Sequence, residues 1–122
     1  RENWRPFCPS INDYRYREYF GNVTESDFMI LAFKMKNKFK NILPSAIHID
    51  GTSRPQVVRK KNNKKFYRLI QEFEKITGHA ILINTSFNIQ GEPIVNKPSE
   101  ALRCFFGTGI DYLALGNYLI TK

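Results

Sequence analysis

Cysteine is scarce in this chain. Cys8 and Cys104 are the two present in 122 residues. That is too few for a disulfide framework, so both read as reduced, partly buried thiols. Long hydrophobic runs are missing as well: the longest, Phe28 to Phe33, falls far short of a bilayer span, so no membrane is expected. No signal peptide is visible. The cytoplasm is therefore the expected location, and the sequons Asn22-Val23-Thr24 and Asn84-Thr85-Ser86 read as chance matches. The chain begins at Arg1 rather than Met, so a preceding segment is expected. It has no Gly-x-Ser-x-Gly elbow, no Cys/His arrangement and no Walker loop. These absences argue against covalent catalysis. They leave phosphate recognition by Arg, Ser and Asn, with chemistry by positioning and electrostatics. Acidic residues are few, 11 against 19 Lys and Arg. From Lys34 to Lys65 only Asp50 opposes Lys34, Lys36, Lys38, Lys40, Arg54, Arg59, Lys60, Lys61, Lys64 and Lys65. Such a stretch attracts phosphates, nucleotides or nucleic acid, or serves as a solvated face.

What is there suits a folded domain: 42% hydrophobic residues and ten Phe, in a length that fits one core. Trp4 to Ile11 reads as extended, with Pro6 and Pro9 interrupting it. Asp13 to Phe20 reads as a short helix stopped at Gly21. Phe28 to Met35 reads as a strand buried on both faces, and the alternating lysines to Lys40 as its continuation out of the core. Ala46 to Asp50 reads as a strand ending at Gly51. Asn63 to Thr77 is the clearest helix, with Phe66, Leu69, Ile70, Phe73 and Ile76 on one stripe, Asn63 as N-cap and Gly78 as stop. Ala80 to Ile83 is a short strand. Pro98 and Glu100 open a helix through Phe106, with Leu102 and Phe105 facing the core. Tyr112 to Ile120 returns as a strand broken near Gly116. The order predicts a mixed α/β (α+β) domain whose mixed sheet is flanked by helices.

Three polar clusters interrupt this framework. Arg1 and Arg5 flank Trp4 and can stack on a base and hold phosphate, or form surface ion pairs. Asp50-Gly51-Thr52-Ser53-Arg54-Pro55-Gln56 offers a hydroxyl at Thr52 and a phosphate-gripping guanidinium at Arg54. Gly51 there allows an unusual backbone angle. His48 and Asp50 are read as neighbours on one strand face, either as an ordinary pair or as part of a metal site; two ligands do not define one. The third cluster, Asn84-Thr85-Ser86-Phe87-Asn88 with Gly91-Glu92-Pro93, follows directly on a buried-looking strand. Ligands bind beyond strand ends in open sheets, although Asn, Ser and Gly also favour turns for backbone reasons. On extended backbone Ser86 and Asn88 point the same way.

Together the clusters resemble one family. Arg1-Glu2-Asn3-Trp4-Arg5-Pro6-Phe7-Cys8-Pro9, His48-Ile49-Asp50-Gly51-Thr52-Ser53-Arg54-Pro55-Gln56 and Leu82-Ile83-Asn84-Thr85-Ser86-Phe87-Asn88-Ile89-Gln90-Gly91-Glu92-Pro93-Ile94 look like the C-terminal, YrdC-like domain of the O-carbamoyltransferases of nodulation and antibiotic biosynthesis. Ala101-Leu102-Arg103-Cys104-Phe105 and Leu115-Gly116-Asn117 extend the match almost end to end. Ser53 stands where Ala is more usual, and the Gly-Pro-Arg-Ala-Leu-Gly segment that usually lies upstream is absent. The resemblance implies a YrdC-like mixed twisted sheet, here truncated. It implies an activity in which carbamoyl phosphate and ATP, with Mg2+, give a carbamoyl-adenylate and pyrophosphate. A sugar-kinase-like N-terminal domain that holds a metal ion would then pass the carbamoyl group to a hydroxyl of a small acceptor. By the same resemblance Arg1, Ser86 and Asn88 are the catalytic candidates, and Arg5, Thr52, Arg54, Asn84 and Thr85 the nucleotide- or carbamoyl-binding ones. No metal ligand is expected in this chain. The chain by itself is expected to be inactive, with that N-terminal domain as its partner. YrdC-like domains are also associated with tRNA modification, so the alternative is an RNA- or nucleotide-binding module without transferase activity.

Overall fold

Strand β1 (Cys8–Asn12) is the axis of the larger part of the molecule. The structure, a computed structural model, describes residues 6–122. Pro9 to Asn12 are all buried, and β1 pairs on both edges: parallel to β4 and antiparallel to β5. The helix α1 (Asp13–Phe20) follows without a loop and stops at Gly21, whose φ of 77° suits glycine. Next come the two-residue strand β2 (Phe33–Lys34), the single turn α2 (Asn37–Lys40), a 3-10 turn over Pro44–Ala46, and strands β3 (Thr52–Ser53) and β4 (Gln56–Val58). The helix α3 (Lys64–Thr77) leads into β5 (Ile81–Asn84). Strand order β4-β1-β5 makes a small mixed sheet, and β2 pairs antiparallel with β3 beside it.

Two compact units divide the chain, one ending at Thr85 and the other spanning Ser86–Lys122. The first buries Ile11, Tyr16, Tyr19, Phe20, Phe39 and Val57 in its main cluster. Each such side chain, fully buried, is worth roughly 1.5–3 kcal/mol relative to exposure. Burial pushes the Tyr16 and Tyr19 phenols up to about 12. A second cluster holds Ile70 of α3 against Val58 and Ala80. The other unit consists of α4 (Pro98–Phe106) and the hairpin β6 (Tyr112–Leu115) and β7 (Tyr118–Thr121), packed around Ala101, Phe105 and Leu113. Length suggested one core; the chain builds separate ones.

The predicted α1, α3, β5 and α4 are all present, and the sheet is mixed as expected. Asn63 caps α3 by accepting from the Phe66 amide at 3.1 Å, and Gly78 closes it in the left-handed region. Other expectations are corrected. Phe28 to Met35 is not a buried strand: Phe28 and Ile30 are 77% and 75% exposed, Met29 has φ 56°, and only Phe33–Lys34 pair. The lysine alternation is not a strand either, since Asn37–Lys40 coil into one helical turn that buries Phe39 alone. Ala46 to Asp50 is a 3-10 turn followed by a tight turn, and the pairing segments lie just after it, at Thr52–Ser53 and Gln56–Val58. Tyr112 to Ile120 is a hairpin that reverses at Gly116, φ 63°. On α3 only Ile70 of the predicted stripe is fully buried, while Leu69, Phe73 and Ile76 are exposed.

Candidate functional site

Polar side chains gather on the larger unit's sheet where β5 ends and β4 begins. Ser10, fully buried on β1, donates from Oγ to Gln56 Oε1 at 2.8 Å. Asn84, the last residue of β5, donates from Nδ2 to Ser10 Oγ and to Gln56 Oε1, each at 3.1 Å. Register explains the meeting: Gln56 sits opposite Ser10 on one side, and Asn84 sits opposite Cys8, two residues along the same face, on the other. Three strands are thereby tied by one hydrogen-bonded triad. Of its members the sequence reading singled out only Asn84. Gln56 belongs to the second polar cluster, where the sequence assigns it no role, and the signal for Ser10 is a hydroxyl between Pro9 and Ile11 in a buried strand.

The turn before β3 is organised by Asp50. Its Oδ1 accepts from the Thr52 amide at 2.9 Å and the Thr52 hydroxyl at 2.7 Å. The hydroxyl bond, then the amide bond, holds the Asp50 carboxyl below its ordinary range. Gly51 closes the turn at φ 79°, and a Cβ there would meet Lys40 Nζ at 2.9 Å. His48 and Asp50 are thus turn residues, not a strand pair. The Thr52 hydroxyl holds the loop, while Arg54 is differently placed: its Nε is buried and has no hydrogen-bond partner among the described residues. A buried guanidinium N–H without an acceptor is costly, and an anionic ligand would satisfy it.

The other unit carries Ser86 and Asn88 on one loop. Ser86 Oγ donates to Asn88 Oδ1 at 2.6 Å. The Asn88 amide nitrogen donates to the carbonyls of Ile89 and Glu92 at 3.1 and 3.0 Å, closing a turn through Gly91, φ 86°. Phe87 packs on the unit's core and Glu92 pairs with Arg103 at 2.7 Å, so both flanks of the loop are anchored. The turn reading and the shared direction of Ser86 and Asn88 therefore hold together. Thr85 is exposed. Arg1 and Arg5 lie outside the described residues. Among the described residues no three His, Cys, Asp or Glu come together as a metal site, and no helix is long and apolar enough to cross a membrane.

Within the basic stretch Lys36 donates to the Arg17 carbonyl at 3.1 Å and Lys38 lies 3.9 Å from Glu18, while Arg59 is held by two carboxylates. Arg59 reaches Glu25 at 2.5 Å and Asp27 at 3.2 Å, and those bonds, Glu25 first, push its guanidinium up. Lys60, Lys61, Lys64 and Lys65 stand exposed at the positive end of α3.

Comparison with known proteins gives a family match over the whole chain: residues 1–122 fit the model described as "Carbamoyltransferase C-terminus". An uncharacterized protein of Methanocaldococcus jannaschii is 43% identical over 100% of this chain and 20% of its own length. Nodulation protein NolNO of Sinorhizobium fredii is 38% identical over 100% of the chain and 18% of its own length. Nodulation protein NolO of Bradyrhizobium diazoefficiens is 37% identical over 100% and 23%. The chain spans about a fifth to a quarter of the length of the relatives it matches.

Proposed function

The chain belongs to the carbamoyltransferase C-terminal family, and from that membership we propose that it is the carbamoyl-activating part of an O-carbamoyltransferase acting on a small hydroxyl acceptor. The observation that carries the reading is the match over residues 1–122, which takes in all three polar clusters in their order. In the proposed reaction carbamoyl phosphate gives up its phosphoryl group to water, leaving carbamate. A carbamate oxygen then bonds to the α-phosphorus of ATP, and pyrophosphate departs. No nucleophile from the protein is needed, which fits a chain without a nucleophile-base pair.

The residues can be given roles on chemical grounds. Arg54 has a buried donor in want of an acceptor, which suits a phosphate oxygen. The Ser86 hydroxyl, now donating to Asn88, turns its proton to a ligand oxygen by rotation about one bond. Asn88 keeps the loop shaped while this happens. Thr85 and Asn84 continue the run toward the sheet, and Arg1 and Arg5 are assigned to phosphate contacts by the resemblance alone. Mg2+ would come with the nucleotide phosphates, which supply most of its ligands in such sites. The rest of the longer protein would provide the acceptor site, its own metal ion and a cytoplasmic setting.

Pyrophosphate release by the full-length protein, with ATP and with or without carbamoyl phosphate, tests the reading. Release that requires carbamoyl phosphate and falls about tenfold or more in Ser86→Ala is expected, the size of one well-placed hydrogen bond to a charged group. The exposed Lys60, Lys61, Lys64 and Lys65 favour a second reading, a nucleic-acid-binding module. Salt-sensitive RNA binding by a folded protein that releases no pyrophosphate would favour it over the first.

A further inference from the structure

The triad of Ser10, Gln56 and Asn84 uses only half of each carboxamide. Gln56 spends Oε1, which accepts from both Ser10 and Asn84. Asn84 spends Nδ2, which donates to both Ser10 and Gln56. Gln56 Nε2 and Asn84 Oδ1 take part in none of the hydrogen bonds among the described residues, and neither is a buried orphan. Among the described residues, therefore, one donor and one acceptor without a partner lie on adjoining side chains, on one sheet face at the carboxyl end of β5. Their settings are coupled: turning either amide over alone would set donor against donor or acceptor against acceptor. Turning both together only reverses the pair, with Ser10 donating to Asn84 Oδ1 and accepting from Gln56 Nε2, so in either setting the two side chains offer one donor and one acceptor side by side.

A free carboxamide on a surface binds water indifferently. Two of them locked into a donor and acceptor pair are selective for a group that carries an acceptor and a donor side by side. A carbamoyl group, with a carbonyl oxygen and an amine on one carbon, is such a group; an acetyl group has the carbonyl but a methyl in place of the amine. Arg54, two residues before Gln56, adds a buried Nε without an acceptor, which suits the phosphate that carbamoyl phosphate carries. We propose that Gln56 Nε2 and Asn84 Oδ1, held by Ser10, form the specificity-determining clamp for the carbamoyl group. Gln56 donates to its carbonyl oxygen and Asn84 accepts from its amine. Ser10 is a positioning residue that touches no ligand. This deepens the proposed function and rests on it for the identity of the ligand.

The test compares binding of carbamoyl phosphate and acetyl phosphate to the full-length protein without ATP, by calorimetry, in wild type and Gln56→Glu. Glutamate keeps an oxygen facing Ser10 and Asn84, so both inner bonds survive, but its outer oxygen cannot donate. Its added charge weakens both phosphates alike, so the ratio of the two affinities is the readout. Wild type is expected to prefer carbamoyl phosphate by about tenfold, the value of one lost hydrogen bond. Gln56→Glu is expected to bring the ratio close to one with little change in melting temperature. If Gln56→Glu fails to fold, Gln56→Met, which also lacks the donor, must lose the preference too. No binding of carbamoyl phosphate, equal binding of the two by wild type, or a preference that survives the substitution overturns the inference and leaves the triad as a clasp between strands. Pyrophosphate release with ATP is scored separately. A preference for carbamoyl phosphate without release would count against the adenylate reading alone.

Discussion

Asn84 and Asn88 stand four residues apart in one polar run and are used in opposite ways. Asn84 reaches across the sheet, to Ser10 and Gln56, 74 and 28 residues away in sequence. Asn88, among the described residues, reaches near neighbours: Ser86, two residues before it, and Ile89 and Glu92, one and four residues after it. The first belongs to the larger unit and ties strands whose order the chain must already have found. The second belongs to the smaller unit and shapes a turn that needs nothing else. A carboxamide with distant partners is held rigidly and can present its remaining atom in a fixed direction. One with local partners keeps a loop in shape and leaves the neighbouring hydroxyl, Ser86, as the movable group. Identical chemistry in sequence thus splits into a preorganised role and an adaptable one.

The units also differ in the core behind these residues, and there the largest effect is expected. Phe105 has no exposed surface in a cluster whose other buried members are Ala101 and Leu113. Phe105→Ala should cost about 3–5 kcal/mol, with hydrogen exchange losing protection at Leu113 and Ile120 while Ile11 and Ile81 keep theirs. Simultaneous loss in both units would break the division between them. Next in size, Asn84→Ala removes two cross-strand bonds and should cost about 1–3 kcal/mol by thermal unfolding. Asn88→Ala, which loses part-buried bonds within its own turn and no bond between strands, should cost about 1 kcal/mol. A larger loss for Asn88 than for Asn84 would invert the comparison. Ser86→Ala should stay within about 0.5 kcal/mol of wild type, so that any fall in pyrophosphate release reports chemistry rather than folding.

How far the residues told this in advance varied with the range of the interactions. The helix α3 was legible because its signals are local: Asn63 caps it and Gly78 ends it within its own turns. Helix α4, with Pro98 at its start and Glu100 in its first turn, was legible on the same grounds. The run from Phe28 to Met35 was misread because apolar composition reports hydrophobicity and not what covers it. Lys34 to Lys40 was misread because Phe39 is the one buried side chain of its turn, and one apolar residue sets no period. Strand β4 was missed because three residues between Pro55 and Arg59 are too short to show alternation. The pairing of Ser86 with Asn88 followed from their spacing, whereas the meeting of Ser10, Gln56 and Asn84 depends on sheet register, which no local pattern contains. The family resemblance named Asn84 without saying what held it.

The smallest effects concern the two carboxylates that organise loops, one in each unit. Glu100 accepts from the amides of Asn96 and Lys97 at 2.9 and 3.1 Å, and those bonds, Asn96 first, hold its carboxyl below the ordinary range. Asp50 is held low too, by the Thr52 hydroxyl first and the Thr52 amide second. A carboxyl depressed in the folded state contributes stability that is fully present above its unfolded pKa. That contribution is lost as pH falls through the folded value. Both groups should therefore weaken their loops only under acid conditions, and neither should affect stability near neutrality. The difference lies in what sets the shift. At Asp50 a side chain supplies the leading bond, so Thr52→Val should return its titration, followed by carboxyl NMR, part of the way toward the ordinary carboxylate range, with the Thr52 amide keeping the rest. At Glu100 both donors are backbone amides, so no side-chain change at Asn96 or Lys97 removes them, and only Glu100→Gln should abolish the acid dependence at the start of α4. A Glu100 titration that moves with the Asn96 side chain would show that the smaller unit, like the larger, sets its loops through side chains rather than through its own backbone.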